Sequence, residues 1–201
     1  MRKVLLLLMM VFMFNSCDTY KSATNLNDGA ANVFMEIWDR WTRSNGDIIY
    51  ATVWERKVNP DLTFEDVKTA IKEIGIEANM KAVGELPLGE ELNARGIKSG
   101  TLHVMSYCSP EIARIMVDFS SAAAAYLPCR ITIVDHGKKS DIVGEDKRNK
   151  VDQKEGLWLY TLNMDMMIKM GRKMPPEVLE KTLFVRDTIW NMMEAGATGD
   201  F

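Results

Sequence analysis

Residues Thr101–Asp135 read TLHVMSYCSPEIARIMVDFSSAAAAYLPCRITIVD, and the order of periods inside this stretch decides the fold. Thr101 to Cys108 alternates with period two, the mark of a half-buried strand. Ser109 and Pro110 then stand where an N-cap and a first-turn proline open a helix, and Ile112, Ile115, Met116 and Phe119 recur on one face of it. Pro128 to Asp135 returns to strand character. A strand, a helix and a second strand in this order, with amphipathic rather than continuously apolar strands, favour an α+β fold in which an antiparallel sheet is covered on one face by helices. A doubly wound parallel sheet is the alternative, and it wants more continuous apolar strands and a ligand loop at a strand's carboxyl end.

Outward from this unit the same pattern recurs. Ile48 to Val58 is rich in β-branched and aromatic residues and predicts one strand or two short ones. Thr63, with Asp66 three residues on, predicts a capping box for a helix carrying Val67, Ala70, Ile71 and Ile74, with Gly75 as its stop. Met80 to Leu86 predicts a strand. On the other side, His136 to Glu155 is charged and Gly-containing and predicts a long hairpin loop, and Gly156 to Leu162 predicts the returning strand. Pro175 and Pro176 open a last helix with Val178, Thr182, Val185, Ile189 and Met192 in one stripe and Gly196 as its end. Before all of these, Val33, Phe34, Ile37, Trp38 and Trp41 predict a helix from Ala30.

The first residues address the chain. Arg2 and Lys3 form a basic tip, Val4 to Phe14 is an unbroken run of eleven apolar residues, and Asn15, Ser16 and Cys17 come next. Eleven helical residues rise only about 16 Å, short of the roughly 30 Å hydrocarbon core, so the layout predicts a secretory signal over residues 1–16. Its end resembles a bacterial lipoprotein signal, with Ser16 before a lipidated Cys17 as the mature N-terminus; Phe14 and Asn15 depart from the usual residues there. The expectation is an exported protein on the periplasmic side, lipid-anchored to the inner or outer membrane, with Asp18 in the place that favours inner-membrane retention in enterobacteria. Residues 17–29, polar and without period, are expected as a flexible tether, and residues 30–201 as a single domain.

Composition narrows the function. With 47% apolar and 26% charged residues the chain has the makeup of an ordinary globular protein. Loss of residues 1–16 removes two of the 25 basic residues and none of the 28 acids, leaving 23 against 28 and a formal charge of −5. That balance lacks the Lys and Arg excess that neutralises phosphates, so nucleic acid is not expected as a partner. No phosphate loop, dinucleotide fingerprint, zincin motif or serine nucleophile elbow occurs, and no cofactor is identified.

Chemistry therefore rests on a few soft side chains. Cys108 and Cys129 remain after Cys17, and three readings stay open: a disulfide, as an oxidising compartment permits; two inert buried thiols; or thiol, ligand or redox chemistry. In the last reading the helix start after Ser109 lowers the pKa of Cys108. Alternation sets Cys108 with Leu102, Val104 and Ser106, and His103 with Met105 and Tyr107. His103 is a candidate ligand for a soft metal or haem, or a half-exposed strand histidine. Met164, Met166, Met167, Met170 and Met174 crowd together, which suits Cu(I) or, more plainly, packing, with Met167, Met170 and Met174 on one helical face. No metal site is assigned.

Two motifs then carry a family resemblance. YCSP at Tyr107–Pro110 and LPCRITI at Leu127–Ile133 resemble the DUF302 family, a domain of unknown function with a cysteine, a polar residue and proline, and then Leu-Pro-Cys before a β-branched strand. Ser109 stands where asparagine is common. The resemblance covers about Tyr50 to Leu162 and implies an α+β fold of the TATA-binding-protein-like type, with homodimers recurrent, and it carries over Cys108 and Cys129 as positions of interest. Longer exported relatives, similar through the tail AGATGDF (Ala195–Phe201), suggest a link to sulfur or redox metabolism. Together these lead to the expectation of a lipid-anchored periplasmic binding or accessory protein, with a thiol-dependent enzyme or a structural envelope protein as the alternatives.

Overall fold

The computed structural model describes residues 17–137 and 154–200. The predicted signal and most of the predicted hairpin loop lie outside them. Along the chain run α1 (Cys17–Thr24), α2 (Ala30–Arg43), α3 (Ile48–Ala51), β1 (Val53–Lys57), α4 (Phe64–Glu77), β2 (Lys81–Pro87), α5 (Leu88–Ala94), β3 (Leu102–Cys108), α6 (Pro110–Phe119), a 3-10 helix (Ser121–Tyr126), β4 (Cys129–Asp135), β5 (Leu157–Leu162), α7 (Met164–Lys169) and α8 (Pro176–Thr198).

The strands form one five-stranded sheet in the order β1-β5-β4-β3-β2, every neighbour antiparallel. This is the predicted α+β architecture. Register assigns the two faces, because partners directly opposite share a face. Met105 faces Ile131, Tyr107 faces Cys129, and His103 faces Ile133, which in turn faces Leu159. Met105, Tyr107, Ile131, Ile133 and Leu159 pack with Val67 and Ile71 of α4, Ile112 and Met116 of α6, and Ile189, Met192 and Met193 of α8 in one buried core, with Cys129 partly buried against it. The other face, running through Val104, Thr132 and Tyr160, is only partly covered. Alternation in β3 suggests Leu102 and Val104, the companions of Cys108, as an apolar-facing set; the helices cover the opposite set, and His103 is buried rather than half-exposed.

Local chemistry explains the elements. Thr63 and Asp66 make the predicted capping box in both directions. Ile48 to Ala51, expected as strand, is a helical turn because the Asp47 carboxylate accepts from the Ile49 and Tyr50 amides. Two glycines expected as stops lie inside helices instead. A Cβ on Gly75 would sit 2.9 Å from Met192 and 3.0 Å from Tyr107, and one on Gly196 2.9 Å from Ile71 and 3.0 Å from Leu159. Both let α4 and α8 approach their neighbours closely; α8 ends at Gly199, whose φ of +79° suits glycine.

The segment expected as a tether carries structure of its own. After α1, Leu26 bridges Arg172, and buried Asn27 donates to the Ile168 carbonyl at 2.7 Å and accepts from the Met174 amide at 2.9 Å. Polarity here serves hydrogen bonding to the body, which composition alone does not distinguish from solvation. α2 forms as predicted, but only Ala30 and Val33 of it are buried; Phe34, Trp38 and Trp41 lie exposed in a contiguous aromatic strip.

Candidate functional site

β3 ends at Cys108 and β4 begins at Cys129, so the antiparallel pairing that sets Tyr107 opposite Cys129 also brings the two cysteines near one another. They are not bridged; both are free thiols. Together they line a small cavity of about 20 Å³ beneath α6, with Met80, Met116, Met164 and Met167 among its other walls. That space accommodates roughly one water-sized group. The predicted low-pKa thiolate is not produced by this site. Ser109 takes the N-cap position without a side-chain cap bond, and burial pushes the Cys108 thiol up. Burial and the neighbouring Cys108 push Cys129 up to about 11, against a lowering pull from Arg130. Desolvation outweighs the helix start because a thiolate in this setting exchanges water for apolar wall.

Cys129 also opens onto a second, larger space. On the partly covered sheet face, a mainly apolar groove of about 240 Å³ is lined by Val104, Thr132, Tyr160, Leu162, Met166 and Cys129, with exposed Arg130 at its edge. It adjoins a further cleft of about 360 Å³ between α6 and the chain after α7, with which it shares Tyr126, Met166 and Met167. Arg172 lies on that cleft, its guanidinium 4.0 Å over the Phe119 ring and donating to the Phe119 carbonyl. The methionines meet here by a different route from the one predicted. α7 ends at Lys169, so Met174 lies beyond it, and it reaches the cleft because Asn27 holds its amide.

His103 is not part of this assembly. It sits toward the opposite end of β3, where its Nε2 lies 3.2 Å from Glu85 and its ring meets Phe64 edge-on. Glu85 also pairs with Lys72 at 2.7 Å and Lys68 at 3.4 Å. The Lys72 hydrogen bond, with Lys68 adding charge, holds Glu85 below the usual carboxylate range. The cluster is a satisfied ion-pair network over a buried histidine. Among the described residues no group of three or more His, Cys, Asp or Glu gathers to hold a metal ion.

One polar feature beside the groove escaped the sequence. Buried Lys154 pairs with Glu55 and donates to the Tyr160 hydroxyl at 3.2 Å, which in turn lies 2.7 Å from His136 Nε2. The rings of Trp158 and Tyr160 stand 4.6 and 4.8 Å from the Lys154 ammonium. Glu55 and Lys154 are far apart in sequence, and only the β1 to β5 pairing brings them together.

Residues 54–146 match the family model described as a domain of unknown function, DUF302. Over that stretch the chain is similar to a DUF302 domain. Both cysteines fall inside the matched residues, while the groove and the small cavity also draw on β5 and α7, with Val53 before the match and Val185 of α8 completing their walls. A solved structure of an uncharacterized conserved DUF302 protein from Bacillus stearothermophilus aligns over 71% of this chain and 96% of its own, with 12% identity and a TM-score of 0.51. That likeness shows the fold alone. No curated protein matches the chain.

Proposed function

We propose that this protein is a lipid-anchored envelope binding protein, held on the periplasmic side through Cys17, whose DUF302 domain takes a small apolar ligand with an anionic end. The observation that carries the reading is the groove on the partly covered sheet face, apolar along its floor, walled by methionines and edged by Arg130. Ligand sites are concave, mostly apolar and furnished with few polar groups. Methionine walls adapt to irregular occupants. The raised thiols at Cys108 and Cys129 place binding ahead of thiol-dependent catalysis, because the thiolate is the nucleophile.

The anchoring half of the reading draws on α2. Phe34 and Trp38 are 52% and 51% exposed and stacked on each other, Ile49 is 74% exposed, and the Trp41 ring lies tilted 5.2 Å from that of Trp38. Trp and its aromatic relatives favour the membrane interface, and this strip begins at Phe34, ten residues after the end of α1, which opens at Cys17. An apolar strip close to the lipidated residue would add buried area to the attachment.

The test of the groove uses anilinonaphthalenesulfonate, an apolar ring system bearing one negative charge. Full-length protein in detergent should bind one equivalent with enhanced fluorescence. Thr132→Trp, which fills the groove from the open face, should abolish that binding, and Arg130→Gln should weaken it severalfold. Binding equal in wild type and Thr132→Trp would overturn the proposal. Sedimentation of the same samples reports whether two copies assemble, as the family resemblance implies.

A further inference from the structure

The small cavity between Cys108 and Cys129 has a composition that packing alone does not require. Six of its wall residues carry sulfur: Met80, Cys108, Met116, Cys129, Met164 and Met167. None of its lining residues is His, Asp or Glu. Its volume of about 20 Å³ suits one small particle, and the sulfur residues reach it from four directions: the start of β2, the two strand ends, α6 and α7. We propose that this cavity is a binding site for one soft monovalent metal ion, Cu(I), held by the thiolates of Cys108 and Cys129 and the thioethers of Met164 and Met167.

Ligand softness selects the ion. Thioether and thiolate sulfur prefer Cu(I), whereas Mg²⁺, Ca²⁺ and Mn²⁺ seek oxygen donors that this cavity does not present. Structural Zn²⁺ takes four thiolate or imidazole ligands, and only two such groups are present. Charge points the same way. Net charge in a partly buried site is costly, and a bound monovalent cation offsets thiolate charge that would otherwise face an apolar cavity. The thiols are protonated before the ion arrives, and each one that ligates gives its proton to water while the copper stays Cu(I). Entry is available from the groove, which shares Cys129, Met164 and Met167 with the cavity. The inference stands apart from the organic ligand proposed for the groove, and either can fail without the other.

The experiment is a competition for Cu(I) against its coloured bathocuproine disulfonate complex, using the full-length chain in detergent with Cys17 present in every variant. Wild type should withdraw one equivalent, with a sulfur-only coordination shell in X-ray absorption. The Cys108→Ser/Cys129→Ser variant should bind at least about 100-fold more weakly, since even outer-shell changes cost roughly 10- to 100-fold in metal affinity. Met164→Leu/Met167→Leu keeps side-chain volume, so its fold should survive, and it should bind about 10-fold more weakly. No withdrawal by wild type overturns the proposal. So does equal affinity in the methionine variant, a reading that holds even if the cysteine variant loses its fold. Nitrogen or oxygen in the coordination shell would also overturn it.

Discussion

Tyr107→Phe isolates one hydroxyl in the middle of the core. Tyr107 is 2% exposed, its ring lies over Gly75, and its hydroxyl has no hydrogen-bond partner among the described residues. An unpartnered buried polar group costs about 1–3 kcal/mol, and phenylalanine keeps the ring that fills the space. At pH 7 the variant should therefore be more stable by about 1 kcal/mol, a rise in Tm of roughly 2–4 °C for a chain of this size. Burial, with Glu85 adding to it, raises the tyrosine to about 12 from an ordinary 10. The sign comes from proton counts: above pH 10 the unfolded chain loses this proton while the folded one keeps it, so wild-type stability falls as pH rises towards 12. One unit above the ordinary value the loss is about 1.4 kcal/mol. Urea unfolding of both proteins at pH 7, 9 and 11 measures this. The variant's advantage should grow by about 1.4 kcal/mol between roughly pH 9 and 11. A variant less stable than wild type at pH 7, or an advantage that does not grow, would refute the reasoning.

Other consequences are as direct. Gly196→Ala gains about 1 kcal/mol of helix propensity but drives a methyl to 2.9 Å from buried Ile71, where overpacking costs about 1–3 kcal/mol, so urea unfolding should show a net loss of up to about 2 kcal/mol. Gly84→Ala, with nothing within 4 Å of the new atom, should stay within about 0.5 kcal/mol of wild type. Asn27→Ala strips the partners of the Ile168 carbonyl and the Met174 amide and should cost about 1–3 kcal/mol, with faster amide exchange at Met174. In iodoacetamide at about pH 8 the folded protein should leave Cys129 unmodified and react slowly at Cys108, both becoming fast in urea; rapid labelling of Cys129 in the folded state would contradict its raised pKa.

Particular elements show why some of this was legible in sequence and some was not. The Thr63 box and the helix after Ser109 are local devices, decided within a few residues, and they stand where the sequence predicts them. Ile48–Ala51 is local too, but a single carboxylate at Asp47 outweighs the β preference of its isoleucines. Gly75 and Gly196 show the opposite limit: their meaning lies in the side chains of another helix and another strand. Period two identifies both faces of β3 but not which one the helices cover, so the pattern leaves His103 half-exposed where the fold buries it. The motifs at Tyr107–Pro110 and Leu127–Ile133 do locate the two cysteines that share one cavity. The groove beside them and the Lys154 cluster next to it depend on the β5 return, and the adjoining cleft on Asn27 drawing Met174 inward, pairings too distant for a sequence pattern to reveal.

The groove itself is best tested by methyl NMR of full-length protein carrying labelled methionine Cε, titrated with anilinonaphthalenesulfonate. Binding in the groove predicts saturable shifts confined to Met164, Met166 and Met167, which line it, while Met105, Met192 and Met193 in the sealed core stay fixed. Shifts spread over all methionines, or confined to Met35 on the exposed face of α2, would contradict a binding groove on this sheet.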